Sequence, residues 1–297
     1  MRYLLSICLI INIAIQVVSQ DLMLNIKILD ITNKKYIPYA SVYNKHKHIG
    51  FYADSSGVFA IPSEFSLADT LLVSSVGYNP LEVTVKNIMN NSIYLSSKIN
   101  ILKEVSITPN AIERIYGSEK KYSYFVSSIS EYESNRNEMA FFIKNKDSIS
   151  AKIISVSFYI SNDRKVNCPF RVRLYKSKDG YPSDDILVDN LIVNYKSKSS
   201  WLEIMVGKYN LFFKDDGLFL SIESLYGLKK SGFYKSTNTT TGKIETHYGQ
   251  ALGLTDEYDT AISFQREFNG TWKPFSVKFP DNLSTKTFYP MMRIKVK

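Results

Sequence analysis

The sequence predicts an all-β protein built of two β-sandwich domains. Three observations carry that prediction. Apolar residues recur at every second position through most of the chain, the period of half-buried strands. Gly, Pro, Asn, Asp and Ser separate these runs at intervals of about eight to twelve residues, as in sandwiches. The gaps leave no room for crossover helices, so the sheets should be mostly antiparallel. The chain has 297 residues, and about 100–200 residues per domain makes two domains the expectation.

The opening segment belongs to neither sandwich. Arg2 precedes an apolar run from Leu4 to Val18 that ends in "VVSQD". A transmembrane helix needs about 20 apolar residues, and this run is shorter. Val17 and Ser19 suit the minus-three and minus-one positions of a signal-peptidase site. Residues 1–19 therefore read as a secretory signal peptide, with Gln20 as the mature N-terminus. An uncleaved anchor is the alternative, and the short apolar stretch with its small-residue exit fits it less well. Cys8 lies inside the run, too early for a lipoprotein cleavage site. No later segment approaches spanning length, so the expected location is the periplasm or the outer-membrane or cell surface.

From Gln20 the strands follow one another closely. Leu22, Leu24, Ile26 and Ile28 alternate with Asn25 and Lys27, and Ala40 and Val42 alternate with Ser41 and Tyr43. Then come "VFAIP", "DTLLVSSVGY", "PLEVTV" (Leu81, Val83 and Val85 against Glu82 and Thr84), "NSIYLSS" and "LKEVSIT". Between two of these lies "ADSSGVF". Asp54 there can accept backbone N–H groups a few residues on, tightening a turn. Gly57 supplies a positive φ that a Cβ would resist, and Phe59 opens the returning strand.

Four motifs in register resemble the carboxypeptidase-D regulatory-like domain, a transthyretin-like β-sandwich. They are "PYASV" (Pro38, Ala40, Val42), "ADSSGVF" (Asp54, Gly57, Phe59), "SSVGY" (Ser74, Gly77, Tyr78) and "LKEVSI" (Leu102, Glu104, Val105, Ile107). The resemblance covers about residues 22–108 and departs at Ala53, where the family usually has Thr. It implies a first domain over 20–108 that is an appendage and not a catalyst. In the family such domains precede outer-membrane receptors, peptidases and many exported proteins of Gram-negative bacteria. No peptidase activity follows: the zinc carboxypeptidase pattern of His-x-x-Glu is absent around His46, His48 and His247. A receptor barrel would need many more amphipathic strands than this chain has left.

Residues 109–135 read as a linker or bridging segment. It opens at Pro109, with a short helical turn expected at "AIERI" before a polar, serine-rich stretch. The second domain is placed at 136–297. Ile154, Val156, Phe158 and Ile160 alternate with Ser155, Ser157 and Tyr159, and Phe170, Val172 and Leu174 alternate with Arg171, Arg173 and Tyr175. "WLEIMV" and "GLFLSIES" continue the rhythm, with "KDGYPSDD", "KDDG" and "REFNGTWKP" as turns. This strand–turn order loosely resembles the jelly-roll modules of exported bacterial proteins, so a jelly-roll-like sandwich is expected.

Composition excludes several functions. Lys and Arg number 37 against 28 Asp and Glu, for a net charge of +9. The lysines are dispersed among turns, and no run of five or six like charges marks a nucleic-acid tail. Cys168 is the one cysteine outside the leader, so no internal disulfide forms, and a small buried hydrophobe is its expected role. His46 and His48 could pinch a metal from one strand face, but a third ligand is not evident, and an exposed loop is the expectation. Asp179, Asp184, Asp185, Asp215 and Asp216 read as turn builders rather than calcium ligands. No nucleophile elbow, zinc helix, P-loop or dinucleotide fingerprint occurs. No cofactor is expected.

The aromatic residues are the better lead. Tyr181, Tyr226, Tyr234, Tyr248 and Trp272 fall in or beside expected loops, above all in Lys229–Gln250. Rings with polar tips grip sugars and protein partners, which makes Tyr234, Tyr248 and Trp272 the candidate ligand-binding residues. The expected function is a non-catalytic, exported cell-envelope protein with a binding or scaffold role towards glycan or protein. The alternative is a glycan-directed envelope hydrolase with carboxylates in the second domain. Two convergent carboxylates of raised pKa in a concave site would mark the hydrolase.

Overall fold

The computed structural model describes residues 24–98, 112–119, 122–131, 136–161, 166–196, 200–225, 230–237, 242–258, 262–268, 270–278 and 287–297. The expected signal peptide and its cleavage point, Leu22, the strand expected at 102–108, Pro109 and Tyr226 lie outside them. Within them the structure is all-β, with single turns of 3-10 helix. None of its helices is long and apolar enough to cross a membrane.

The first domain holds β1 (Asn25–Asp30), β2 (Ser41–Asn44), β3 (Ile49–Tyr52), β4 (Val58–Ala60), β5 (Thr70–Ser74), β6 (Leu81–Thr84) and β7 (Ser92–Leu95). Two sheets, ordered β4-β1-β7 and β3-β2-β5-β6, face each other. Every pair is antiparallel except β1 with β7. Ile26, Ile28, Val42, Phe59, Leu71, Val73 and Leu95 fill the space between the sheets. The turn after β3 forms as its sequence requires. Asp54 Oδ1 accepts from the N–H of Ser56 (2.8 Å) and of Val58 (3.0 Å), and Gly57 sits at φ 72°. Leu81 departs from the expected inward pattern: β6 is the sheet edge, and Leu81 stays exposed.

Inside the segment expected as a linker or bridging segment, β8 (Arg114–Gly117) pairs with the last strand and β9 (Tyr122–Glu131) with the strand over 244–255. The second domain goes on through β10 (Arg136–Lys144), β11 (Ala151–Ser161), β12 (Asn167–Lys178), β13 (Tyr181–Asp185), β14 (Ile192–Lys196), β15 (Ser200–Met205) and β16 (Phe212–Phe213). It continues with β17 (Gly217–Ser224), β18 (Phe233–Thr237), β19 (Ile244–Thr255), β20 (Ser263–Glu267), β21 (Lys273–Pro274), β22 (Val277–Lys278), β23 (Thr287–Pro290) and β24 (Met292–Val296). One sheet has the order β13-β12-β17-β10-β20-β21, with β14 also on β12. The other has β22-β23-β19-β11-β24-β8, with β9, β15, β16 and β18 beside it. The long strands alternate between the sheets along the chain, the jelly-roll habit of building both layers together. Phe158, Phe170, Val172, Leu174, Leu220, Ile222 and Ile294 interlock between them.

Three local expectations change. The "RI" of "AIERI" opens β8 instead of a helical turn, because its backbone pairs with β24. A β-bulge between Ile153 and Ser155 shifts the alternation of β11, so Ile153, and not Ile154, reaches the core. A bulge inserts one residue and reverses which side chains face inward. Finally, most of the long loop expected at Lys229–Gln250 is a hairpin of β18 and β19.

Candidate binding site between the domains

The site begins with a row of charge across four neighbouring strands. Arg171 on β12 stands opposite Glu223 on β17, Glu223 opposite Glu138 on β10, and Glu138 opposite Arg266 on β20. Side chains alternate along a strand, so these four lie on the sheet face turned away from Phe170, Val172 and Ile222. Two glutamates directly opposite each other repel; here each has its own arginine on the outer side. Arg171 Nη1 donates to Glu223 Oε2 at 2.8 Å. Arg266 Nε donates to Glu138 Oε2 at 2.6 Å. Glu138 Oε1 also accepts from Tyr175 Oη (2.7 Å) and Ser221 Oγ (2.5 Å).

The first domain closes over this row. Tyr52 Oη donates to Glu223 Oε1 at 2.7 Å, and Arg171 Nη2 donates to the carbonyl of Tyr39. Asn190 bridges the domains: its Oδ1 accepts from Arg171 Nε at 2.7 Å, and its Nδ2 donates to the Pro38 carbonyl at 3.0 Å. Tyr39 is held at φ 55°, a conformation that non-glycine residues adopt infrequently. Phe268 stacks on Tyr43, with centroids 5.9 Å apart and planes 12° from parallel, and its ring lies where a Cβ on Gly50 would be. The result is a polar cavity of about 240 Å³ between the domains. Ser41, Tyr43, Tyr52 and Ser75 form one wall; Glu138, Arg171, Arg173, Glu223, Arg266 and Phe268 form the other.

Electrostatics distinguish the carboxylates. Burial pushes the Glu223 carboxyl up, but Arg171, Arg173 and the Tyr52 hydrogen bond outweigh it and hold it below its ordinary value. Asp185, which ion-pairs with Arg173, is pushed up to about 6, chiefly by burial against the pull of Arg173. Burial also drives the Tyr175 phenol well up, reinforced by Glu138. Breaking a buried ion pair costs several kcal/mol, on the order of 3–5, so these pairs hold the site rigid.

Residues 27–107 match the CarboxypepD_reg-like domain family. The regulatory-like domain therefore supplies one complete wall of the cavity. No curated protein matches the chain. Among solved structures, the chain is similar to the cysteine protease and lectin-like domains of Cwp84, a surface layer associated protein of Clostridium difficile. Identity is 14%, the TM-score is 0.35, and the similarity covers 86% of this chain and 49% of that one.

The structure does not bring the three candidate rings together. Tyr248 lies on β19 with its side chain fully buried, packed with Val166, Cys168 and the half-buried Tyr234. A ring with no exposed surface is a core residue, not a surface anchor. Trp272 belongs to another cluster, packed beside Tyr175, Phe219 and Phe264. It does serve the charged row: the Arg266 guanidinium lies 4.6 Å from its ring centroid. Cys168 is fully buried, as its apolar neighbours predict. His46 Nδ1 accepts from the Thr70 N–H, and His48 Nδ1 bonds Tyr43 Oη. No group of three or more metal-ligating side chains occurs among the described residues.

The cavity residues Glu138, Arg171, Arg173, Glu223 and Arg266 are not among the candidates that the sequence offers. Their signal was there: "FRVRLY", "SIES", "NEMA" and "FQRE" place long charged side chains at the outward positions of apolar strands. An outward charge ordinarily means a solvated face.

Proposed function

We propose that the protein is a non-catalytic, exported cell-envelope binding protein that takes a glycan in the cavity between its regulatory-like domain and its jelly-roll-like domain. One observation carries this reading. The two glutamates of the concave site are each bound to an arginine, and Glu223 is held below its ordinary pKa. Glycoside hydrolysis needs one carboxyl held protonated as the general acid. A lowered pKa opposes that role for Glu223, and Asp185, the carboxyl raised to about 6, is not among the residues that line the cavity. Such a wall instead presents fixed donors and acceptors beside aromatic faces, which is the chemistry of sugar recognition. The cavity is smaller than the roughly 300–1,000 Å³ of clefts for drug-sized ligands, so it suits a single ring or chain end. Export rests on the N-terminal leader.

A glycan array probed with protein beginning at Gln20, followed by hydrolysis assays on each retained glycan, tests the proposal. Retention without cleavage is the expected result. Cleavage that disappears in Glu138→Gln would replace binding by hydrolysis. Capture of envelope proteins with no glycan retained would make the protein a scaffold for protein partners.

A further inference from the structure

Resting on the glycan-binding reading, we propose that the interdomain cavity selects a carboxylated sugar, a single uronic-acid-type ring whose carboxylate lies between Arg173 and Ser75. Buried polar atoms in folded proteins almost always have partners. Among the described residues, four buried side-chain polar atoms have no hydrogen-bond partner, and Arg173 Nε and Ser75 Oγ are two of them. Both residues line the same cavity, one from each domain. A third, Asp185 Oδ2, is the atom ion-paired with Arg173. Two buried groups able to donate, one from each domain and both on residues that line this cavity, are what an oxyanion would satisfy. A bond from an arginine to an anion is also the stronger kind.

The rest of the wall narrows the class. Arg171, Arg266 and Arg173 are ion-paired with Glu223, Glu138 and Asp185; among the three, Arg173 is the one whose buried Nε has no hydrogen-bond partner. A carboxylate offers about four lone-pair sites. Glu223 accepts from Tyr52 and Arg171, one bond on each oxygen, so it retains capacity for ligand hydroxyls. A dianionic phosphate pressed towards two glutamates would be repelled; one carboxylate flanked by hydroxyls pairs with both charge types. Tyr43 and the stacked Phe268 offer an apolar face for a ring.

Isothermal titration of the mature chain with D-galacturonic acid, D-galactose and N-acetyl-aspartate tests this. The acid should bind at least about tenfold more tightly than galactose, the ratio of one charge-assisted hydrogen bond. Arg173→Gln should remove that preference, and Ser75→Ala should weaken the acid several-fold at an unchanged melting temperature. Ser75→Ala leaves the Arg173–Asp185 pair intact, so it decides the matter even if Arg173→Gln fails to fold. Equal binding of acid and neutral sugar would overturn the carboxylate selectivity and leave glycan binding standing. Binding of N-acetyl-aspartate in place of both sugars would overturn the sugar assignment. A Ser75→Ala variant that keeps full affinity would leave water as the partner of these atoms and overturn the proposal.

Discussion

Tyr52 of the regulatory-like domain donates its hydroxyl to Glu223 of the second domain across 2.7 Å, with both groups buried. Arg171 grips the same carboxylate from the other side. Replacing Tyr52 by Phe keeps the ring and removes the donor. Bonds to charged groups contribute about 1.5–3 kcal/mol, so Tyr52→Phe should lower the stability of the interdomain contact by about that much. Limited proteolysis and denaturant unfolding read this. Unchanged curves would mean that the hydroxyl adds nothing to the contact.

The two perturbed carboxyls give the contact opposite pH limits. The folded pKa of Glu223 is lowered, so its contribution is present above the unfolded value of about 4.3 and is lost as pH falls. The folded pKa of Asp185 is raised to about 6. Its contribution is full below the unfolded value of about 3.9 and is lost as pH rises through about 6. Carboxyl carbon-13 titration should place the Asp185 midpoint near 6 and that of Glu223 below an ordinary glutamate. An Asp185 midpoint near 4 would contradict its burial beside Arg173.

Gly50 is where the regulatory-like domain accommodates Phe268. A Cβ there would come 2.2 Å from the Phe268 Cγ, far inside contact distance. Gly50→Ala should displace the ring, break its stack on Tyr43 and cost about 1–3 kcal/mol, as overpacking does. Ligand affinity should fall with it. A variant with wild-type melting temperature and affinity would show that Phe268 does not form the cavity wall.

Tyr248 and Trp272 should separate experimentally. Tyr248→Ala empties a fully buried site on β19, and truncating a buried aromatic residue costs about 3–5 kcal/mol. Its effect should appear as lowered stability. Trp272→Ala removes the face that steadies Arg266, so it should weaken ligand binding more than it weakens the fold. A Tyr248→Ala protein that melts normally but fails to bind would restore that ring as a ligand contact.

Local pattern set most of the side chains that face each core, with Ile154 and Leu81 as exceptions. The alternation of Phe170, Val172 and Leu174, and the Asp54–Gly57 turn, follow from the pleat of one strand and the φ angles of one turn, both local properties. The charged outward residues carry no local sign that sets them apart from a solvated face. Tertiary structure alone decided what those outward residues do. Glu138, Arg171, Glu223 and Arg266 are scattered over more than a hundred residues, and they meet because β10, β12, β17 and β20 are neighbours in one sheet. Strand order is fixed by non-local packing, which no local period encodes. The same reason explains Tyr248: its polar, glycine-punctuated surroundings look like a loop until β18 and β9 pair with β19 and bury it. The outward face reads as solvated in one dimension and is covered in three, because a second domain lies against it.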